Sequence, residues 1–437
     1  MLGSGSRWKP DMDVIRTRGN SYAGREKKVM AVTLNETPGS SRLHIGIFGK
    51  TNSGKSALIN AFTGQEVSIV ANVAGTTTDP VYKAMEVHPL GPCIIIDTAG
   101  FGDESELGKS RMEKTRLAAE KTDIALLLVA GNGDAALDEE EMHWYRFLKE
   151  HGTPVLFVVG KTDIRSDAQV DKLAAAIRGK TGEEAYPVSA KTGEGMEALK
   201  EALIRKLPEN YGRRRLITGT LVGREDLVLL VMPQDIQAPK GRLILPQVQT
   251  LRELLDKKCL VMSVTTDQLI PALAVLKKAP KLIITDSQVF GYVYENKPAE
   301  SMLTSFSVLF AAYKGDLPYY VEGAEHIDAL NAHSRILIAE CCTHAPLKED
   351  IGREKIPRML RKRFGESLAV DIVSGTDFSK DLSGYDLIIQ CGACMFNRKY
   401  VMSRIGHARE QGVPMTNYGV TIAHLTGILD KISMPET

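Results

Sequence analysis

The amino-acid sequence predicts an α/β protein of three domains. Short apolar runs alternate with helical segments along most of the chain. A Gly-x-x-x-x-Gly-Lys-Ser stretch joins the first such run to the first helix, and two later runs end on cysteine. At 437 residues the chain has room for about three domains of roughly 150 residues each. Lys and Arg number 55 against 54 Asp and Glu, a net charge of +1. No overall basic field therefore recommends a nucleic acid partner, and no acidic excess points to disorder. The apolar run Ile124 to Ala130 falls far short of the roughly 20 residues needed to span a bilayer, so no membrane partner is expected.

Residues 1–40 are polar, rich in Gly, Ser and Arg, and show no sustained period of 2 or 3.6. An unstructured extension is expected there, with Met30 as an alternative start. No apolar segment follows Arg7 and Lys9, so a secretory signal is not expected, and Asp11 and Asp13 argue against an organelle presequence. The first domain is placed at 41–210. In it LHIGIFGK, CIIIDTAG, IALLLVAG and VLFVVGKTD read as strands separated by helices, which indicates a parallel sheet with crossover helices. Leu207-Pro208 and the basic run Arg213-Arg214-Arg215 mark its end. The second domain, 211–299, has strand-like LVLLVMP, RLILPQ, CLVMSVTT and KLIITD, and no polar constellation with assignable chemistry. The third, 300–437, has strand-like RILIAECC, SLAVDIVSG, YDLIIQCG and VPMTNYG.

Gly49-Lys-Thr-Asn-Ser-Gly54-Lys55-Ser56 follows a strand and opens a helix, the context a phosphate-binding loop requires. Glycines let consecutive N–H groups of Asn52, Ser53, Gly54 and Ala57 turn toward phosphate oxygens, Lys55 neutralises β/γ charge, and Ser56 offers a hydroxyl to Mg²⁺. Asp97-Thr-Ala-Gly100 ends the next strand: its Asp97 can hold Mg²⁺ through water and the Gly100 N–H can sense a γ-phosphate. Gly75-Thr-Thr77-Thr-Asp79 lies between, with Thr77 the candidate to close on phosphate and Mg²⁺. Lys161 and Asp163 end another strand, and Asp163 can accept from the guanine N1–H and exocyclic amine. Ser189-Ala190-Lys191 can bring a backbone N–H to the guanine carbonyl. The order of these elements points to GTP and GDP as ligands and to a P-loop GTPase domain. Lys55, Thr77 and Gly100 are the residues expected to serve hydrolysis.

Six cysteines are too sparse for a disulfide framework, and four fall in the last third, which reads as metal chemistry in a reducing compartment. Cys342-Thr-His344 follows one strand and Gln390-Cys391-Gly-Ala-Cys394 another, so in a parallel sheet both emerge at the carboxyl edge, where open α/β sheets bind ligands. Cys394 is expected close to a helix N-terminus, which favours thiolate. Cys341, by alternation, is expected to point to the opposite face as core. Three thiolates with one weaker or absent protein ligand suit a [4Fe–4S] cluster; Cys342, His344, Cys391 and Cys394 equally make a Cys₃His zinc site, and the chemistry leaves both open.

The first domain resembles the TrmE–Era–Septin class of small G domains, with Gly160 where the class has the Asn of its Asn-Lys-x-Asp motif. In that class Asn touches the guanine N7, so weaker guanine affinity is implied. Phe101 follows Gly100 where many G domains carry a water-orienting Gln. By resemblance to the potassium-dependent members, Asn52 is the candidate K⁺ ligand; as a bare residue it reads equally as a turn former. The whole chain from about Asn35 resembles the HydF family, GTPase scaffolds of [FeFe]-hydrogenase maturation, through its domain order and through CTHAP…CGAC.

The HydF resemblance implies a homodimer paired through the middle domain's sheet. It also implies a C-terminal [4Fe–4S] domain with Cys342, Cys391 and Cys394 as ligands, His344 or an exchangeable group completing the set. The implied role is to receive a di-iron precursor from the radical-SAM maturases HydE and HydG and deliver it to apo-[FeFe]-hydrogenase. A cytoplasmic location is expected, or an organelle if the extension is a presequence. The alternative reading is a regulatory or RNA-directed TrmE/Era-like GTPase with structural zinc.

Overall fold

A computed structural model describes residues 37–64, 80–88, 90–102, 106–129, 137–207, 215–233, 243–341 and 350–436. The first sheet is built from β1 (Leu43–Gly49), β2 (Val81–Val87), β3 (Gly91–Asp97), β4 (Ile124–Val129), β5 (Val155–Val159) and β6 (Ala185–Pro187) in the order β2-β3-β1-β4-β5-β6. Helices α1 (Lys55–Thr63), α2 (Glu106–Glu120), α3 (Glu139–Glu150), α4 (Asp167–Thr181) and α5 (Met196–Lys206) form its crossovers. Strands β1, β4 and β5 are buried along their whole length, as expected of central strands covered on both faces. One strand was not anticipated. β2 pairs antiparallel with β3 at the sheet edge, so the sheet is parallel except there. Its side chains alternate between half-buried and exposed, which is why it lacks the apolar run that marks its neighbours.

The second sheet takes β7 (Leu227–Val231), β8 (Leu260–Val264), β9 (Leu282–Thr285) and β10 (Met302–Ser305), all parallel, in the order β10-β9-β7-β8. Its helices are α6 (Leu245–Asp256), α7 (Leu269–Val275) and α8 (Phe290–Asn296). Two expectations are corrected here. RLILPQ is not a strand, because Leu245 and Pro246 begin α6: proline is tolerated in a first helical turn, and the Gln247 side chain reaches back to the Ile244 N–H at 3.2 Å. The sheet also runs past residue 299. Pro298 sits in a turn closed by the Ser301 N–H at 3.1 Å, and β10 follows it to pair with β9.

Helix α9 (Phe306–Lys314) comes next and is buried almost all round: Phe306, Val308, Leu309, Phe310, Ala311, Ala312 and Lys314 are all covered. A helix apolar on every side belongs in the middle of a structure, and α9 has sheets on both sides. Phe306, Leu309 and Phe310 join the core on one face of the second sheet. Val308, Ala311 and Ala312 join a second core shared between the other face of that sheet and the third. The remaining elements are α10 (Leu317–Glu325), β11 (Arg335–Ala339), α11 (Ile356–Phe364), β12 (Ala369–Val373), β13 (Leu387–Gln390), α12 (Arg398–Glu410), β14 (Met415–Asn417) and α13 (Tyr418–Leu425). Their sheet is wholly parallel in the order β12-β11-β13-β14.

Gly323 in α10 is packed directly on β14: a Cβ there would lie 2.0 Å from the Met415 carbonyl oxygen. Helix propensity alone predicts that Gly323→Ala stabilises the chain by about 1 kcal/mol. Overpacking against backbone instead predicts a loss of about 2 kcal/mol or more, read as a lower thermal unfolding midpoint of the variant.

Candidate functional site

The loop after β1 wraps around the Lys55 side chain, whose ammonium donates to the carbonyls of Gly49 and Lys50 at 2.8 Å each. Burial pushes this ammonium down to about 8, with the Asp97 carboxylate opposing the shift. The same burial raises Asp97, against the pull of Lys55 and Lys83. Ser56 Oγ lies 3.5 Å from Asp97 Oδ2, so the two expected Mg²⁺ contacts face one point. Gly100 abuts this loop: a Cβ there would sit 2.6 Å from the backbone N and Cα of Thr51, so no side chain fits. The Thr51 N–H donates to the Phe101 carbonyl at 3.2 Å, tying the strand-end loop to the phosphate loop. Phe101 itself is buried and stacked on Trp144. It cannot orient a water as a glutamine would.

The base-reading side is formed by the ends of β5 and β6. A cleft of about 230 Å³ is lined by residues that include Ser53, Gly54, Gly160, Asp163, Ala190 and Lys191. Asp163 is oriented by the Ser189 hydroxyl at 2.9 Å, and that hydroxyl in turn accepts from the Thr192 N–H at 3.1 Å. Lys161 (φ 60°) reaches across to the Asn52 carbonyl at 3.0 Å. Asn52 is exposed and has φ 62°, a conformation that asparagine tolerates. Thr77 lies outside the described residues. Lys50 was not singled out from the sequence; its ammonium contacts the Asp138 carboxylate, which also caps α3.

Cys341 and the Cys391–Cys394 motif meet at the carboxyl rim of the third sheet. Ala339 of β11 is in register with Gln390 of β13, and the Cys391 N–H donates to the Ala339 carbonyl at 3.0 Å. Cys391 Sγ accepts from the Cys341 N–H at 3.1 Å and from the Ala393 N–H at 3.4 Å. Cys341 therefore does not turn away. It is buried as expected, but its thiol meets that of Cys391, because β11 ends at Ala339 and strand alternation stops two residues before it. That contact, with burial second, holds the Cys391 thiol well above its ordinary range. Cys394 is in the turn ahead of α12, whose N-cap is Asn397, so it stands three residues before the cap. Cys342 and His344 lie outside the described residues. Among the described residues no three His, Cys, Asp or Glu side chains are grouped to hold a metal by themselves.

Beneath this loop lies Lys314, the last residue of α9, 2% exposed. Its ammonium donates to the carbonyls of Ala393, Cys394 and Phe396 at 3.3, 3.0 and 2.7 Å. Burial pushes it down to about 8, against the opposing pull of Cys394, Cys341 and Cys391. Next to the sulfurs, buried Gln390 donates to Tyr320 Oη at 3.2 Å while its Oε1 finds no partner among the described residues. Two N–H donors on one sulfur and a buried cation beside the thiols fit an anionic group bound by thiolates. Lys314 was not singled out from the sequence; its place at the end of the apolar run FSVLFAAY is the signal that could have found it.

The two sites are connected through packed helices. Asn397 accepts the Tyr400 N–H at 3.3 Å as N-cap of α12, and its amide donates to the Lys121 carbonyl at the end of α2, at 2.7 Å. Lys121 also places its ammonium over the rings of Tyr400 and Tyr82, 5.1 and 5.5 Å from their centroids.

A β-α sheet with this phosphate loop, the Asp97–Gly100 loop folded against it and Asp163 at the β5 end defines a P-loop GTPase domain, here joined to two further α/β domains. Residues 44–161 match the family described as 50S ribosome-binding GTPase, 217–315 the hydrogen maturase F dimerization domain and 318–435 the hydrogen maturase F tetramerization domain. The chain belongs to the hydrogen maturase F family, and both of its C-terminal domains are of oligomerising kinds. Curated relatives resemble the GTPase part. GTPase Der of Wolinella succinogenes is 37% identical over 188 residues, 41% of this chain and 38% of Der. tRNA modification GTPase MnmE of Ralstonia nicotianae is 31% identical over 229 residues, 49% of this chain and 46% of MnmE. GTPase Era of Xanthomonas campestris pv. campestris is 32% identical over 209 residues, 45% of this chain and 68% of Era. The chain thus spans less than half the length of Der and MnmE.

Gly160 offers a direct test of the base site. A Cβ there meets a terminal methyl of Leu128 at 2.9 Å, which can rotate, and the Ser53 carbonyl only at 3.9 Å. Gly160→Asn is expected to be accepted after Leu128 repacks. It should tighten GDP binding about tenfold by calorimetry, the ~1.4 kcal/mol of one net hydrogen bond.

Proposed function

We propose that this chain is a GTP-hydrolysing scaffold of [FeFe]-hydrogenase maturation that carries a [4Fe–4S] cluster. Its cargo would be a di-iron precursor, made with the radical-SAM maturases HydE and HydG and passed to apo-[FeFe]-hydrogenase. The observation that carries the reading is the Cys391 sulfur, held by two N–H donors at the rim where β11 and β13 meet, in a chain with the domains of the hydrogen maturase F family. Cys342, Cys391 and Cys394 would hold the cluster, with His344 or an exchangeable group as fourth ligand. When bound, the cluster supplies an iron position at which the precursor can dock. The protein's part is to present the sulfurs, exclude water with the buried Tyr320 and Gln390, and balance charge.

In the first domain GTP would occupy the cleft between the phosphate loop and Asp163. Gly49, Ser53, Gly54 and Ala57 would cradle its phosphates with Lys55, and Ser56, Asp97 and Thr77 would hold Mg²⁺. Lys161, Ser189, Ala190 and Lys191 would frame the base. Hydrolysis would use the Gly100 N–H and, with Phe101 buried in the core, a K⁺ at Asn52 in place of a water-orienting side chain. The homodimer would form through the second sheet. Its edge strand β8 leaves Leu260 60% exposed, and Ile270 and Val275 on the helix that follows are also exposed. The expected domain limits become, in this reading, a GTPase part, a pairing part that includes β10, and a cluster part.

Anaerobic reconstitution followed by iron, sulfide and zinc analysis is expected to give ~4 iron and ~4 sulfide per chain with a broad visible absorbance. Stoichiometric zinc without iron would replace the scaffold reading with that of a zinc-bearing regulatory GTPase. GTP hydrolysis is expected to run at least about tenfold faster in K⁺ than in Na⁺; equal rates would remove the assigned role of Asn52.

A further inference from the structure

A lysine ammonium with almost no access to water is costly to keep charged, because burial strips its hydration. Lys314 is in this situation at the end of a helix otherwise made of apolar and small residues. Among the described residues it has no carboxylate in hydrogen-bond or ion-pair contact. Its acceptors are three carbonyls within four consecutive residues, Ala393, Cys394 and Phe396, all in the turn that carries Cys394 and leads into α12. Ala393 takes φ 50°, an unfavourable conformation for a residue with a Cβ, so the turn is one that needs holding. Convergence of those three carbonyls on one ammonium supplies the hold. The charge then faces three sulfurs, those of Cys394, Cys341 and Cys391.

We propose that Lys314 is the positioning residue of the cysteine site: it clamps the Ala393–Phe396 turn from below and furnishes the buried positive charge that a thiolate-bound anionic group needs. The inference rests on the scaffold reading for the identity of that group, and on this chain's geometry alone for the clamp. An apolar side chain of similar length removes both the charge and the donor shared by the three carbonyls, while keeping most of the packing. Lys314→Met is therefore the informative change. Lys314→Gln, which retains two N–H donors without the charge, separates holding from charging.

Hydrogen exchange of the metal-free full-length protein reads the clamp. In Lys314→Met the amides of residues 391–397 are expected to exchange at least tenfold faster than in the wild type, with those of the first sheet unchanged. Wild-type exchange in this segment overturns the clamp. In the reconstituted protein, the fraction of cluster reduced is measured by electron paramagnetic resonance at the potential where the wild type is half reduced. Both variants are expected to show about a fivefold smaller reduced fraction, because removing a nearby cation disfavours adding an electron. An unchanged fraction overturns the charge role. If the wild type takes up no iron, the scaffold reading fails while the exchange data still decide the clamp. If Lys314→Met loses structure throughout, as seen by exchange in the first sheet, Lys314→Gln decides. With two donors for three carbonyls on a shorter side chain, it is expected to speed exchange at 391–397 severalfold, and wild-type exchange there overturns the clamp, while its reduced fraction decides the charge role.

Discussion

The backbone of β11 runs parallel to β13 and ends with Ala339 beside Gln390, so both chains leave the sheet at one rim. From that pairing follow the Cys391 N–H on the Ala339 carbonyl and the Cys341 N–H on the Cys391 sulfur. Parallel pairing has the same consequence in the first sheet. β1 and β3 run together to Ile47 beside Asp97, which puts the phosphate loop and the Asp97–Gly100 loop side by side. In each case the hydrogen-bond ladder gathers the reactive loops at the carboxyl ends of strands, where helix N-termini and unpaired backbone N–H groups are also found.

Burial then sets the electrostatics of both sites. Lys55 and Lys314 are each enclosed and pushed down to about 8, and each has backbone carbonyls as its hydrogen-bond acceptors. The difference is in what else faces the charge: Asp97 in one site, three thiols in the other. A cation desolvated next to a place for phosphates, or next to sulfurs, is prepared to interact with negative charge more strongly than it could in water. The domains are also mechanically continuous. α9 belongs to the cores on both sides of it, and Asn397 bonds the end of α2 while capping the helix that follows the cysteine turn.

Much of this was legible in the chain. The phosphate loop, Asp97, Gly100, Asp163 and Ser189 are short motifs at the ends of apolar runs, and their chemistry depends on local backbone shape, which the residue types specify. The apolar runs of β1, β4 and β5 are unmistakable because both faces of each are buried. β2 escaped notice because an edge strand needs only one covered face. RLILPQ misled because an apolar run at a helix start looks like a strand until the proline is given its first-turn role. The end of the middle sheet was set too early because Pro298 reads as a linker signal when it is a turn before the last strand.

Sequence by itself determined the alternation of strands and helices and the nucleotide-binding loops, since each depends on residues close together along the chain. Tertiary structure alone decided that Cys341 turns toward Cys391, that Lys314 lies beneath the cysteine turn 79 residues away from Ala393, and that Asn397 bonds Lys121 across 276 residues. Those contacts come from the packing of α9 between two sheets and of α2 against α12, and no local propensity encodes which distant carbonyl a buried donor will meet.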